Sequence, residues 1–430
     1  MKHIKKTITL LGVVLVLFGC SKDDDAPVQN VAPQIANQEF SISEDAIEGT
    51  VIGTLVATDS DALTYSITTN DNDLFALTNA GVLSLATGKA LNYNIAQTHS
   101  ITVAVSDGTN TTEATITIKV TDFIDVYVAG FQIDGAINRA MLWKNGIGTT
   151  LSSNGNYARA KDVYVLGEDV YVVGHKKEGT TNVDIAMLWQ NGMATNLTEG
   201  SNNARANSVY VSGEDVYVVG YKKSRATIWK NGNPTSLPRS SAQVNSAAAF
   251  SVYVSGNMVY VAGEEVIGGK SQAVLWENDN ITVLTDGTSQ EAYATSVFVS
   301  GNDVYASGAE YDGTKFIPRL WGNGGLIDLT NGISNSAYAN SVYALGENIY
   351  VAGYDTGTGS SITATLWNNG EATGLTTSGT NSIANDVYVL GEDIYVAGVT
   401  GADVTVWKNG VVAEELIDGG KGQATAIFVK

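Results

Sequence analysis

Seven residues in the later part of the chain share one local setting and differ in chemistry. Each directly precedes an alanine that stands three residues ahead of a valine, or of an isoleucine in the last case: Arg159, Arg205, Ala248, Tyr293, Tyr338, Ile383 and Gln423. A guanidinium fork pairs with a carboxylate through two parallel bonds, and a phenol offers an apolar face with a hydroxyl. Arg159, Arg205, Tyr293, Tyr338 and Gln423, gathered in one place, suit a carboxylate, a sugar or a peptide. A second set is acidic. Glu178, Asp184, Glu310 and Asp312 fall in nearby variable segments, and two carboxylates about 5 to 9 Å apart can cleave a glycosidic bond. Other catalysts are scarce. Of three histidines only His99 and His175 lie beyond the N-terminal segment, and His175, beside Lys176 and Lys177, reads as an exposed loop. No Gly-x-Ser-x-Gly elbow, phosphate-cradling loop or His-Glu-x-x-His occurs. A binding protein is therefore expected, not an enzyme, with a carbohydrate-active glycosidase or lyase as the alternative.

The elements that would gather those residues recur. Trp143, Trp189, Trp229, Trp276, Trp321, Trp367 and Trp407 use every tryptophan of the chain, at separations of 46, 40, 47, 45, 46 and 40. A strand-patterned repeat of about 40 to 50 residues is the mark of a β-propeller. In residues 206–237, "ANSVYVSG", "EDVYVVGY", "RATIWKNG" and "NPTSL" read as four successive strands, and Asn-Gly ends the third strand in six of the seven units. Asn-Gly supplies the two left-handed residues of a type I′ hairpin. Tryptophan at one place in every unit reads as packing between blades. The unit starting at Asp125 lacks a first strand, and the terminal "ATAIFVK" (residues 424–430) is a first strand with nothing after it. Joined, they make seven blades in a closed ring. The residue before each alanine then lies at the channel mouth, on the face carrying the variable loops, where binding usually lives.

Residues 33–122 alternate apolar and polar positions in short runs, as an antiparallel β-sandwich does. The ordered blocks "FSISEDAIEGTVIGTLVATDSDALTYSI", "LFALTNAGVLSLATGKALNYN", "ITVAVSDG" and "ITIKVTD" resemble a cadherin repeat along nearly its whole length. That resemblance implies calcium ligands at the poles: Asp59 and Asp61 in "ATDSD", Asp107 in "VSDG" and Glu44 in "SED". Two further ligand blocks are eroded. Asn92 and Asn94 replace carboxylates in "LNYN", and the terminal block is reduced to "TDFID". Calcium takes six to eight oxygens, so the expected affinity is at best the roughly 10⁻⁴ to 10⁻³ M of extracellular modules.

The first residues, "MKHIKKTITLLGVVLVLFGC", carry a basic start, an apolar run too short to span a membrane comfortably, and a small residue before the chain's one cysteine, Cys20. A single cysteine excludes an internal disulfide and a cysteine-rich metal site. "LFGC" resembles the lipobox of bacterial lipoproteins, which implies cleavage before Cys20 and its acylation. "SKDDD" after it resembles outer-membrane and surface-export signals. Removing Lys2, Lys5 and Lys6 leaves 21 basic against 44 acidic residues, a net charge of −23, which repels nucleic acid. Charged residues make up 16% of the chain, against roughly 25% in ordinary domains. With 46 glycines this points to strands and turns. The expectation is all-β: a lipoprotein signal peptide over 1–19, the acylated cysteine and a flexible linker over 20–34, a cadherin-like (Ig-like) β-sandwich over 35–123, and a seven-bladed β-propeller closed by the C-terminal strand over 124–430. The expected protein is lipid-anchored in the outer membrane, faces the cell exterior, and uses the sandwich as a stalk presenting a propeller for glycan or protein.

Overall fold

The computed structural model describes residues 29–93, 95–152, 157–177, 183–200, 202–285, 291–323, 325–330, 335–357, 361–376, 379–417 and 420–430. Among these residues there is no α-helix, and no helix long and apolar enough to cross a membrane. The chain divides into two compact units, Met1–Phe123 and Ile124–Lys430. Cys20, Asn94 and Glu178 lie outside the described residues.

The first unit holds β1 (Gln34–Ile35), β2 (Gln38–Ser43), β3 (Val51–Thr54), β4 (Ala57–Thr58), β5 (Thr64–Thr69), β6 (Phe75–Leu77), β7 (Val82–Leu85), β8 (Thr98–Ser106) and β9 (Thr111–Thr121). One sheet has the order β2-β9-β8-β5 and the other β3-β7-β6. Alternation places Ile101, Val103 and Val105 of β8 and Ile116 and Ile118 of β9 inward, where they pack on Leu83 and Leu85 of the second sheet. The pairing is antiparallel except between β2 and β9, the first and last long strands, which run parallel. The folded unit also reaches into the expected linker. Gln34 pairs with Thr58, and Asn30 hydrogen-bonds Asp61, because these polar residues find partners on the sandwich end.

Among the described residues the second unit contains seven four-stranded antiparallel sheets. Sheet I comprises Val126–Asp134, Ile137–Lys144, Ile147–Thr150 and the terminal Gly422–Val429, which pairs with Val126–Gln132. The corresponding inner strands of sheets II to VII are Ala158–Leu166, Ala204–Ser212, Val244–Ser255, Ala292–Ser300, Ala337–Leu345 and Ser382–Leu390. Each inner strand touches those of the two flanking sheets, and sheet I touches both II and VII. All seven tryptophans are buried, each in a cluster shared by its own sheet and the preceding one. Trp143 of sheet I accordingly packs with Tyr395, Ala397 and Val404 of sheet VII. In five of the Asn-Gly hairpins both residues take positive φ, as at Asn231 (50°) and Gly232 (79°). The asparagine also ties its turn to the start of the second strand: the Asn231 side-chain amide oxygen accepts the Val216 N–H at 2.8 Å.

Candidate functional site

A β-bulge recurs in all seven inner strands and decides what faces the axis. The strand alternates, skips its pairing partner at one residue after the recurrent alanine, and resumes; the skipped residues are Lys161, Asn207, Phe250, Thr295, Asn340, Asn385 and Thr425. The alanine stays fully buried between sheets, while two successive residues after it turn towards the channel. Five bulge side chains clasp the next sheet. Asn207, Thr295, Asn340, Asn385 and Thr425 each donate to the carbonyl of the neighbouring sheet's recurrent alanine (Ala249, Ala339, Ala384, Ala424 and Ala160) at 2.6 to 3.1 Å. Lys161 and Phe250 make no such bond.

Four layers follow along the axis. The first holds Arg159, Arg205, Ala248, Tyr293, Tyr338, Ile383 and Gln423, all half-buried, at the same register of their strands. The bulge residues form the second, and Asp162, Ser208, Ser251, Ser296, Ser341, Asp386 and Ala426 the third. The fourth is a closed cycle of Tyr164, Tyr210, Tyr253, Phe298, Tyr343, Tyr388 and Phe428, with neighbouring ring centroids 4.4 to 5.1 Å apart. Between the third and fourth layers lies an axial cavity of about 230 Å³.

The first layer divides by chemistry. In sheets II and III the Arg159 guanidinium lies over Phe131, 4.2 Å from its centroid, and faces Tyr157 at 5.5 Å. The Asn138 amide, turned so that its oxygen faces Arg159, accepts from Nε and Nη2 at 2.6 Å. Arg205 gives both Nε and Nη2 to one oxygen of Asp184 at 2.6 Å, leaving the other oxygen buried without a partner. Lys161 projects between these arginines with no hydrogen bond or ion pair among the described residues. Burial, then the charges of Arg159 and Arg205, draw its ammonium down to about 8. His175 is 2% exposed, on a strand opposite Arg159, so the exposed-loop expectation for it is corrected: its strand runs through Lys177. Burial and the surrounding Arg205, Lys161, Arg159 and Lys177 draw it down to about 3, and its Nδ1 has no partner. In sheets V and VI the same layer is aromatic. Phe316 packs on Tyr338 at 4.9 Å, Tyr338 stacks on Tyr354 at 4.7 Å, and Tyr293 approaches Phe316 at 6.4 Å. Gln423 donates to Asn385 at 3.2 Å, between the two halves.

The loop acids considered for catalysis are engaged separately. Asp184 holds Arg205, Glu310 holds Arg319 at 2.7 Å, and Asp312 accepts the Thr314 and Lys315 N–H groups within its own turn. The acids that the fold sets around one cavity are Asp162 and Asp386, which sequence reading missed. Asp162 accepts the Val163 and Val209 N–H groups, and Asp386 accepts those of Val387 and Ile427 and the Ser341 hydroxyl. Serine does the same inter-sheet work elsewhere, as Ser208 does for Val252. The signal was available: a pair of short polar residues stands between the recurrent alanine and valine in most units.

Burial, with Asp386 as the second cause for Asp162, pushes these carboxyls up to about 7 (Asp162) and about 6 (Asp386). The folded state then keeps protons that the unfolded chain releases above about pH 4. The stability contributed by the pair is therefore full below about pH 4 and is lost as pH rises towards 7. His175 acts oppositely, since only the unfolded chain protonates it between about pH 3 and 6.5. Replacing both aspartates by serine is expected to remove the downward limb from the melting temperature measured between about pH 4.5 and 7. An unaltered pH profile in the double variant would contradict this.

In the first unit the four expected calcium ligands separate into two places. Asp59 accepts the Asp61 N–H at 2.9 Å, Asp61 accepts the Asn30 amide at 3.3 Å, and Asn30 in turn accepts from Asn110 at 2.9 Å. Asp107 accepts the Thr109 and Asn110 N–H groups at 2.6 Å, which hold its carboxyl below the usual range. Glu44 stands elsewhere. It accepts the Tyr93 and Phe123 N–H groups, which lower its pKa, while burial and Glu44 itself push Asp122 up. The oxygen-only set of Asp59, Asp61, Asp107, Asn30 and Asn110 suits calcium in kind. In number it falls short, for among the described residues no three acids, histidines or cysteines converge on a metal position.

The first unit is a cadherin-like β-sandwich. Its residues 38–121 match the family model of the cadherin domain. A search of curated proteins finds no match. Similar solved structures include human mucin-like protocadherin EC1-2 (23% identity, 22% of this chain and 55% of that chain, TM-score 0.20) and chicken VE-cadherin EC1-2 (26%, 22% and 54%, 0.19). The third cadherin domain of human protocadherin 7 is matched over 92% of its length and 24% of this chain, at 22% identity and TM-score 0.20. The chain spans 55% or less of the first relatives it matches. At such scores these likenesses carry no argument beyond the domain match.

Proposed function

We propose that this chain is a surface-anchored binding protein: a lipid-anchored cadherin-like stalk carrying a seven-bladed β-propeller whose channel mouth takes glycan or protein. The carrying observation is the first axial layer, where seven equivalent positions hold two arginines, two tyrosines and a glutamine while the alanine beside them never varies. Identical packing with diverse neighbours is what a rigid scaffold presenting a recognition surface requires. The cyclic contacts of the inner strands support the propeller reading, and cadherin domains are extracellular modules, in keeping with "LFGC" and Cys20 as the anchor. The Asp162 and Asp386 pair favours a structural role over catalysis, because all four oxygens accept backbone or hydroxyl bonds.

Screening residues 21–430 against glycan and protein arrays, with and without calcium, tests this reading. Saturable binding that the combined substitution of Arg159, Arg205, Tyr293 and Tyr338 removes is the expected result; binding untouched by it would overturn the assignment. Calcium at Asp59, Asp61 and Asp107 is expected to give calorimetric heat and a higher melting temperature of the first unit only at about millimolar concentration. No heat and no shift would remove calcium from the proposal.

A further inference from the structure

The sheet II and III side of the mouth holds an excess of positive charge in a strongly acidic chain, while Glu264 stands opposite Ala248 and Glu291 acts on Tyr293 and Tyr338 on the other side. Arg159, Lys161 and Arg205 face one carboxylate, Asp184, whereas the whole sequence carries a net charge of −20. Lys161 is also one of the two places, with Phe250, where the repeat breaks its own rule. Five equivalent residues clasp the adjacent sheet, and Lys161 gives up that clasp to place an ammonium among two guanidiniums. Departure from a local structural rule without a packing gain is the pattern of a functional residue. A partly buried, unpaired cation is costly unless an anion meets it. Buried His175, whose Nδ1 has no partner, stands opposite Arg159 in register, and Arg159 lies over Phe131. Across the axis, Tyr293, Tyr338 and Phe316 supply aromatic surface suited to sugar rings.

We infer that the channel mouth recognises a saccharide bearing carboxylates, with Lys161 and Arg159 taking the carboxylate and the Tyr293 and Tyr338 side taking a neighbouring sugar ring. This rests on the binding reading above and narrows it to one ligand class. Lys161 is the residue that distinguishes it, since a neutral glycan would leave its charge unmet.

The test is calorimetric titration of the mature chain with an oligogalacturonide, its carboxyl-reduced neutral counterpart, and an oligoglutamate of equal charge. The acidic saccharide is expected to bind at least about tenfold more tightly than either comparator. Lys161→Asn installs the residue that clasps the adjacent sheet elsewhere. It is expected to keep or raise the melting temperature while losing about tenfold or more in affinity for the acidic oligomer. Tyr338→Ala is expected to weaken the acidic oligomer with Lys161 intact. Equal binding of acidic and neutral oligomers overturns the inference and leaves the general binding reading standing, as does preference for oligoglutamate. Absence of binding to all three probes overturns the inference, and absence across the arrays as well overturns both. A Lys161→Asn variant that is fully folded and binds unchanged also overturns it.

Discussion

Deleting residues 424–430 is expected to abolish cooperative unfolding of the second unit and to drive the protein into aggregates. The segment forms most of the inner strand of sheet I, and its loss exposes the edge of residues 126–130. A long unpaired apolar edge is a template for other chains. The segment also buries Ala424, Ala426, Ile427 and Val429, and Phe428 completes the aromatic cycle between Tyr388 and Tyr164. Burial of Ile427, Phe428 and Val429 is worth up to roughly 1.5 to 3 kcal/mol each, against a typical net stability of about 5 to 15. Flanking sheets lose partners too: Asp386 loses the Ile427 N–H, Asn385 the Ala424 carbonyl, and Ala160 its bond from Thr425. Light scattering after size exclusion, with a thermal scan, reads the outcome. A monomer with unchanged melting temperature would show that the terminal strand does not hold the sheets together.

That strand was legible because tryptophan spacing and the Asn-Gly turns repeat with little variation, so a unit lacking one strand and a strand lacking a unit could be matched. The all-β character and the cadherin-like blocks were legible for the same reason, several ordered signals agreeing. The channel lining was not. Strict alternation assigns every second residue to one face, and the bulge at Lys161 and its six equivalents shifts that phase in mid-strand. Arg159, Asp162 and Tyr164 therefore share the axial side although they are three and two residues apart. His175 was misread because a Gly-His-Lys-Lys run looks like a loop, yet its strand stays paired with the bulged inner strand as far as Lys176 opposite Ala158. The residues expected as calcium ligands from the resemblance do not share one place: motif order does not say that Glu44 lies with Asp122, apart from Asp59, Asp61 and Asp107.

The bulge also explains why the second strand of every sheet carries glycine opposite it, and this yields the other large expected effect. Gly220 pairs with Ala206 beside the bulge at Asn207, and the bend brings the Arg205 carbonyl over its Cα. A Cβ there would stand well inside van der Waals distance of the Arg205 carbonyl oxygen and against the Ala206 Cα. Both are backbone, held by the pairing of their strand with that of Gly220, so neither yields as a flexible side chain would. Gly220→Ala is expected to destabilise by about 3 kcal/mol or more, lowering the melting temperature by roughly 6 °C or more. Gly213→Ala, in an exposed turn at φ 60° with nothing near its Cβ, is expected to cost only about 1 kcal/mol, the strain of a left-handed residue. Equal losses in the two variants would refute the close approach as the cause. Because the displaced carbonyl belongs to Arg205, Gly220→Ala should also weaken any ligand held at the mouth, which Gly213→Ala should not. One backbone irregularity thus aims the mouth residues and demands the glycine behind them.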